Sequence, residues 1–153
     1  MKIIRIFKKV TVLIVICAVV PVCVAENSAS KKIKEKPVFS GEEWEEFKKA
    51  HEPLLESAME AYNDDDAGQF AENFIMSRQK RTERSFKFLW TDDYKMEYGK
   101  FISKEFLPGK SNPSEVYPLL TYRARFEKND DVGIRCVFAK DEDGKYRIFY
   151  LRI

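Results

Sequence analysis

The chain has 153 residues, of which 44% are hydrophobic, 14% aromatic and 34% charged, with a formal charge of +2. That composition is too apolar and too aromatic for a disordered chain, and the length suits one or two small domains. Six Gly and six Pro exclude collagen-like and linker-like chains, and three Cys exclude a disulfide-dense scaffold.

Residues 1–25 read as an address. Lys2, Arg5, Lys8 and Lys9 form a basic flank, and an apolar run follows over 10–25. Cys23 and Ala25 stand third and first before a cut between Ala25 and Glu26. Basic flank, short apolar core and small terminal residue are the three parts of a secretory signal peptide. The run falls short of the roughly 20 apolar residues that a bilayer helix needs. The expected location is therefore periplasmic or extracellular. An uncleaved leader would stay as a membrane anchor facing the same compartment. Val22 before Cys23 and Ile16 before Cys17 exclude a lipoprotein, which requires a small residue there. Loss of the leader leaves 23 basic against 25 acidic residues, a formal charge of −2. The general electrostatic case for nucleic acid goes with it. Only Cys136 remains, so no internal disulfide can form.

Residues 26–38 are polar, lysine-rich and aperiodic, which reads as a solvated spacer. A single domain is expected over 39–153. Ser40 and Glu43 fit a capping box. Apolar residues recur at Trp44, Phe47, Leu54, Leu55, Ala58, Met59 and Tyr62 with a helical period, and Pro53 predicts a kink or restart near His51. Asn63-Asp64-Asp65-Asp66 ends this helix and caps a second, which carries Phe70, Phe74 and Ile75. A third helical stretch over 82–98 presents Phe86, Leu89, Trp90 and Tyr94, and Gly99 is placed to terminate it.

Beyond Gly99 the period changes to two. A strand is expected over 100–107, a turn at Pro108-Gly109, and a long strand over 116–128. In that strand Leu120, Tyr122, Ala124 and Phe126 alternate with Thr121, Arg123 and Arg125, and Pro118 suggests an edge or a bulge. Asn129-Asp130-Asp131 reads as the turn into 132–140, where Cys136 joins Val132, Ile134 and Phe138 on the apolar side. Asp141-Glu142-Asp143-Gly144 turns the chain into 146–153. There strict alternation separates Ile148 from Phe149, Leu151 and Ile153. Either both faces are partly covered or a bulge near Phe149-Tyr150 shifts the phase, and the bulge is preferred. Helices followed by an antiparallel sheet that ends in a three-strand meander define an α+β class.

This order of elements resembles the cystatin-like roll of the nuclear-transport-factor-two-like superfamily, in which N-terminal helices pack on a curved antiparallel sheet. The closer likeness is to small exported bacterial domains of unknown function in that group. It is carried by the alanine-rich helix end Ser57-Ala58-Met59-Glu60-Ala61-Tyr62 with its acidic turn and Phe70, and by Gly99-Lys100 entering the first strand. Gly144-Lys145-Tyr146 and the closing Leu151-Arg152-Ile153 complete it, so that it covers about 40–153. The superfamily includes isomerases, dehydratases, secretion-system subunits and non-enzymatic domains, and the fold does not choose among them.

Several chemistries lack their residues. His51 is the only histidine, which leaves multi-His metal sites without ligands, and it has no partner motif as a base. No phosphate loop, dinucleotide fingerprint or zinc-protease motif is present, and no cofactor is implied. Asp64-Asp65-Asp66 reads as a helix cap, and 141–144 as a hairpin turn rather than a calcium loop. Enzymes of the superfamily use an Asp or Glu between helices and sheet as a general base, its pKa raised by apolar walls. Asp93 is the catalytic candidate on that model, although no family motif matches there. The basic stretch Arg78, Lys80, Arg81, Arg84 and Lys87 reads as a solvated loop and helix face.

The most suggestive surface lies on the sheet. Arg123 and Arg125 alternate outward on one strand, Arg135 takes the matching phase of the next, and Arg147 extends the row in one register. Outward arginines are ordinary on an exposed sheet, where they oppose edge association. In a row they also make an anion-collecting surface. The leading expectation is an exported, non-catalytic binding domain for a protein or an anionic envelope component, with a homodimer through the sheet as one form of it. The rivals are a small-molecule binder or lyase/isomerase using the cavity between helices and sheet, and an anchored accessory subunit of a secretion machine.

Overall fold

The computed structural model describes residues 38–153, and the leader and nearly all of the spacer lie outside the described residues. Helices come first and a four-stranded antiparallel sheet of order β1-β2-β3-β4 follows, the expected α+β arrangement.

Helix α1 spans Gly41–Asn63. Its capping box is formed: the Ser40 N–H donates to Glu43 Oε2 at 2.8 Å and the Glu43 N–H to Ser40 Oγ at 3.4 Å. The helix runs through Pro53 with no restart. Buried residues on either side of it, Phe47 before and Leu55, Ala58 and Met59 after, hold both halves against the core.

Asp66 caps α2 (Ala67–Glu72), accepting from the Gln69 N–H at 2.9 Å. Phe74 and Ile75 are not helical, contrary to expectation. Asn73 bonds back to the Gln69 carbonyl at 2.9 Å and closes the helix. The chain then pairs with the edge of the sheet, through Ile75 N–H to Ile148 O and Ile148 N–H to Asn73 O, both 3.0 Å.

Helix α3 (Met76–Ser85) starts well before the expected residue 82, with the Met76 N–H donating to Asp141 Oδ2 at 3.0 Å. It buries no residue, so it offers no apolar period to read. A π-helical segment, Phe86–Lys95, and α4, Met96–Tyr98, continue it without a break. Gly99 ends the run as expected, at φ 77° and ψ −156°, a region open essentially to glycine alone.

Strands β1 (Phe101–Phe106), β2 (Leu119–Phe126), β3 (Asn129–Lys140) and β4 (Tyr146–Arg152) pair in sequence order. β2 is interior, so Pro118 marks no edge; it is buried just before the strand and its carbonyl accepts the Phe138 N–H at 2.9 Å. The β2–β3 turn is Glu127-Lys128 rather than 129–131, since Asn129 already pairs with Phe126. The end of the long helix fixes this turn: the Lys128 N–H donates to Tyr98 O at 3.0 Å and the Glu127 N–H to Lys100 O at 2.9 Å. In β4 the bulge is present. Ile148 pairs with Phe138 and Tyr150 with Val137, so Phe149 is the extra residue and both Ile148 and Leu151 stay buried.

Alternate residues of β2 and β3, including Tyr122, Phe126, Ile134 and Cys136, form one core with Leu55, Met59 and Tyr62 of α1. One polar clamp crosses this core. The Tyr62 hydroxyl donates to Gly99 O at 2.7 Å, the Asn63 amide donates to Phe101 O at 2.9 Å, and Asn63 Oδ1 accepts the Phe101 N–H at 2.8 Å. Lys95 Nζ donates to the carbonyls of Tyr62 and Asn63 at 3.3 and 2.9 Å and pairs with Asp65 at 2.7 Å.

The two positive-φ glycines separate strain from crowding. Gly144 has φ 77° and open space around a Cβ, whereas a Cβ on Gly99 would meet Glu127 Cβ at 2.9 Å. Gly144→Ala is expected to cost about 1–2 kcal/mol from backbone strain alone. Gly99→Ala is expected to cost roughly 3 kcal/mol, strain and crowding together. Urea unfolding of both variants checks this, and equal losses would contradict the crowding.

Candidate functional site

The sheet has one face on the core and one toward solvent, and the pairing register assigns the arginines to the second. Arg123, Arg125 and Arg135 are exposed, and the core-facing residues between them are buried. Their surroundings differ. Arg123 Nε lies 3.1 Å from Asp131 and Arg125 Nε 3.3 Å from Asp130, so the hairpin supplies a carboxylate for each. Arg147 is held the same way, 3.2 Å from Asp141 and 3.3 Å from Asp143, and does not extend the row as an unpaired charge.

Arg135 is placed differently. Its cross-strand partner on β4 is Arg152, and on β2 it is Thr121. Among the described residues neither Arg135 nor Arg152 has a carboxylate at ion-pair distance. Like charges directly opposite on one sheet face destabilise the sheet. Next to Arg135 the face is hollowed. Gly133, opposite Arg123, has no neighbour within 4 Å of a Cβ, and with Leu107, Lys110, Thr121 and Arg135 it lines an open depression of about 430 Å³. Thr121 is buried at its floor because the segment after β1 folds over it, with Thr121 Oγ1 donating to Lys110 O at 2.9 Å.

Arg152, Lys110 and Gly133 are absent from the sequence-based candidates. The phase shift at Phe149 puts Arg152 outward, so the preferred bulge already contained that signal. Lys110 and Gly133 carried none, because their place depends on how the loop after β1 lies across the sheet.

The other candidates fall elsewhere. Asp93 is exposed on the π-helical segment and lines neither the depression on the sheet nor the cleft under α1. His51 is stacked on Phe47, ring centroids 4.2 Å apart, with Nδ1 2.8 Å from Phe47 O. Cys136 is fully buried, and burial pushes its thiol well above the usual range, the opposite of an activated nucleophile. A charged cleft of about 270 Å³ opens between α1 and the sheet, lined by Lys48, Glu52, Glu56, Phe106 and Tyr122. Three carboxylates line it: Lys104 contacts Glu52 and lies 3.1 Å from Glu56, and Glu45 pairs with Lys48 at 2.6 Å. Burial is also the main reason that the Tyr122 phenol is pushed far up, which keeps it neutral. No described helix is long and apolar enough to cross a membrane.

Compared with protein-family models, with curated proteins and with solved structures, the chain matches none.

The Arg135–Arg152 pair makes a signed prediction about folding. Arg135→Glu turns a cross-strand repulsion into an attraction and is expected to raise stability by ~0.5–1 kcal/mol. Arg123→Glu, opposite Glu105 and beside Asp131, is expected to lower it. Urea midpoints read both signs; a loss in Arg135→Glu would contradict the repulsion.

Proposed function

We propose that this chain is an exported, non-catalytic binding domain that takes an acidic protein partner on the open face of its sheet. The observation that carries the reading is the Arg135–Arg152 pair, two exposed arginines opposite each other in the β3–β4 register with no carboxylate at ion-pair distance among the described residues, and Arg135 beside a hollow. A partner's Asp or Glu would engage both in bidentate geometry and relieve the repulsion between them. The hollow supplies shape, with Leu107 and the bare Gly133 backbone available to a side chain from the partner. A two-fold homodimer through this face would place the basic patch against itself, so the partner is a different molecule. Export rests on the three-part leader, and membership of the nuclear-transport-factor-two-like superfamily rests on the motifs of 40–153 and on the order of helices and meander.

The enzymatic alternative has one observation in its favour, the cleft under α1 with three carboxylates, Glu45, Glu52 and Glu56, and Tyr122. Each of these acids is already ion-paired, Glu52 and Glu56 with Lys104 and Glu45 with Lys48, which favours a structural role.

The test is recovery of partners from envelope extract on immobilised wild type, an Arg135→Glu/Arg152→Glu variant and Gly133→Val. The last fills the hollow without touching charge. An acidic protein is expected on the wild type at physiological salt, lost in both variants and released at high salt. Equal recovery on all three, or an anionic glycan or lipid in place of protein, would overturn the reading.

A further inference from the structure

A second basic site lies on the other side of β4, against the long helix. The groove there holds about 260 Å³, slightly below the usual range for drug-sized ligands. Its two walls are both irregular places in the fold. One is the junction of α3 with the π-helical segment, which contributes Arg78, Arg81, Ser85 and Trp90. The other is the β4 bulge, which contributes Phe149 and Leu151. Widened helical turns and bulges each re-aim side chains and are frequent where ligands bind.

Arg78 and Arg81 stand on one helix face, with Thr82 and Ser85 completing a polar stripe along it. Arg78 is stacked on the Phe149 ring, its guanidinium carbon 3.8 Å from the centroid. Stacking uses the flat side of the group and leaves its in-plane N–H donors open, which is the geometry that a planar carboxylate matches in bidentate fashion. Among the described residues no carboxylate reaches Arg78 or Arg81. Asp141, the acid that caps α3, is already bonded to the Met76 N–H and lies 3.2 Å from Arg147. Below the arginines the floor is apolar: Phe74, Trp90 and Leu151 are buried side chains that form part of the groove's lining. Leu89 and Tyr150 stand exposed at its rim.

We propose that this groove binds a small amphipathic carboxylate, its head on Arg78 and Arg81 and its apolar body over Phe74, Trp90 and Leu151. The site is separate from the sheet face and does not depend on the partner proposed for it.

Calorimetric titration of the protein with octanoate tests this, with 1-octanol as the uncharged control and acetate as the head alone. Octanoate is expected to saturate one site, and neither control to match it. Arg78→Gln/Arg81→Gln is expected to weaken octanoate by roughly tenfold or more, as loss of charge-assisted hydrogen bonds should. Both substitutions are on a helix that buries no residue and should leave folding intact. Arg135→Glu should leave octanoate unchanged, which separates this groove from the sheet face. The proposal is overturned if octanoate does not saturate, if octanol binds equally well, if the double variant keeps full affinity, or if Arg135→Glu alone removes binding.

Discussion

The arrangement of helices on the sheet depends on how the last turn of α1 is tied to the start of β1. Asn63 pairs with both backbone groups of Phe101, and the Tyr62 hydroxyl takes the carbonyl of Gly99 from within the core. A buried polar group left unpaired costs about 1–3 kcal/mol, so each of these bonds selects one docking of helix against strand. Lys95 adds a cation to the carbonyl end of α1, where the helix dipole is negative. The same junction holds the β2–β3 turn through Tyr98, Lys100 and Glu127, so its effect reaches three of the four strands. Apolar burial supplies the larger energy but is indifferent to small slides. The clamp supplies the register.

Against that settled interior the surface arginines divide by whether the chain provides their counter-charge. Arg123, Arg125 and Arg147 find theirs within their own hairpins, as expected of residues that serve solubility and edge protection. Among the described residues Arg135 and Arg152 do not, nor do Arg78, Arg81 and Arg84 of the long helix. A cation without an anion in the described fold keeps hydrogen-bond donors open. That division supports placing recognition on the two sides of β4 rather than beneath the helices.

Much of the fold is legible in the residues because local chemistry dictates it. Ser40 with Glu43, Asp66 and Gly99 mark helix ends by capping and by φ alone, and the alternation of 120–126 and 132–138 gives the core face directly. The bulge at Phe149 is legible because Ile148 and Leu151 both need burial. Misplaced elements are those fixed by distant partners. Phe74 and Ile75 leave their helix for the edge of β4, and α3 begins early on a capping acid 65 residues away in sequence. The turn at Glu127-Lys128 is set by the helix end, not by the acidic run after it. On the sheet face, outward phase identified Arg135 correctly as exposed. Whether an arginine is already paired depends on side-chain geometry across hairpins, which alternation does not encode.

The most direct test of the clamp is Asn63→Ala, read by urea unfolding together with hydrogen exchange at the Phe101 amide. The account predicts a loss of about 1–3 kcal/mol, since two half-buried backbone groups of Phe101 lose their partner. It also predicts that the Phe101 amide loses its protection ahead of the rest of β1. A loss under about 0.5 kcal/mol, the size of an ordinary surface substitution, with protection retained would contradict it.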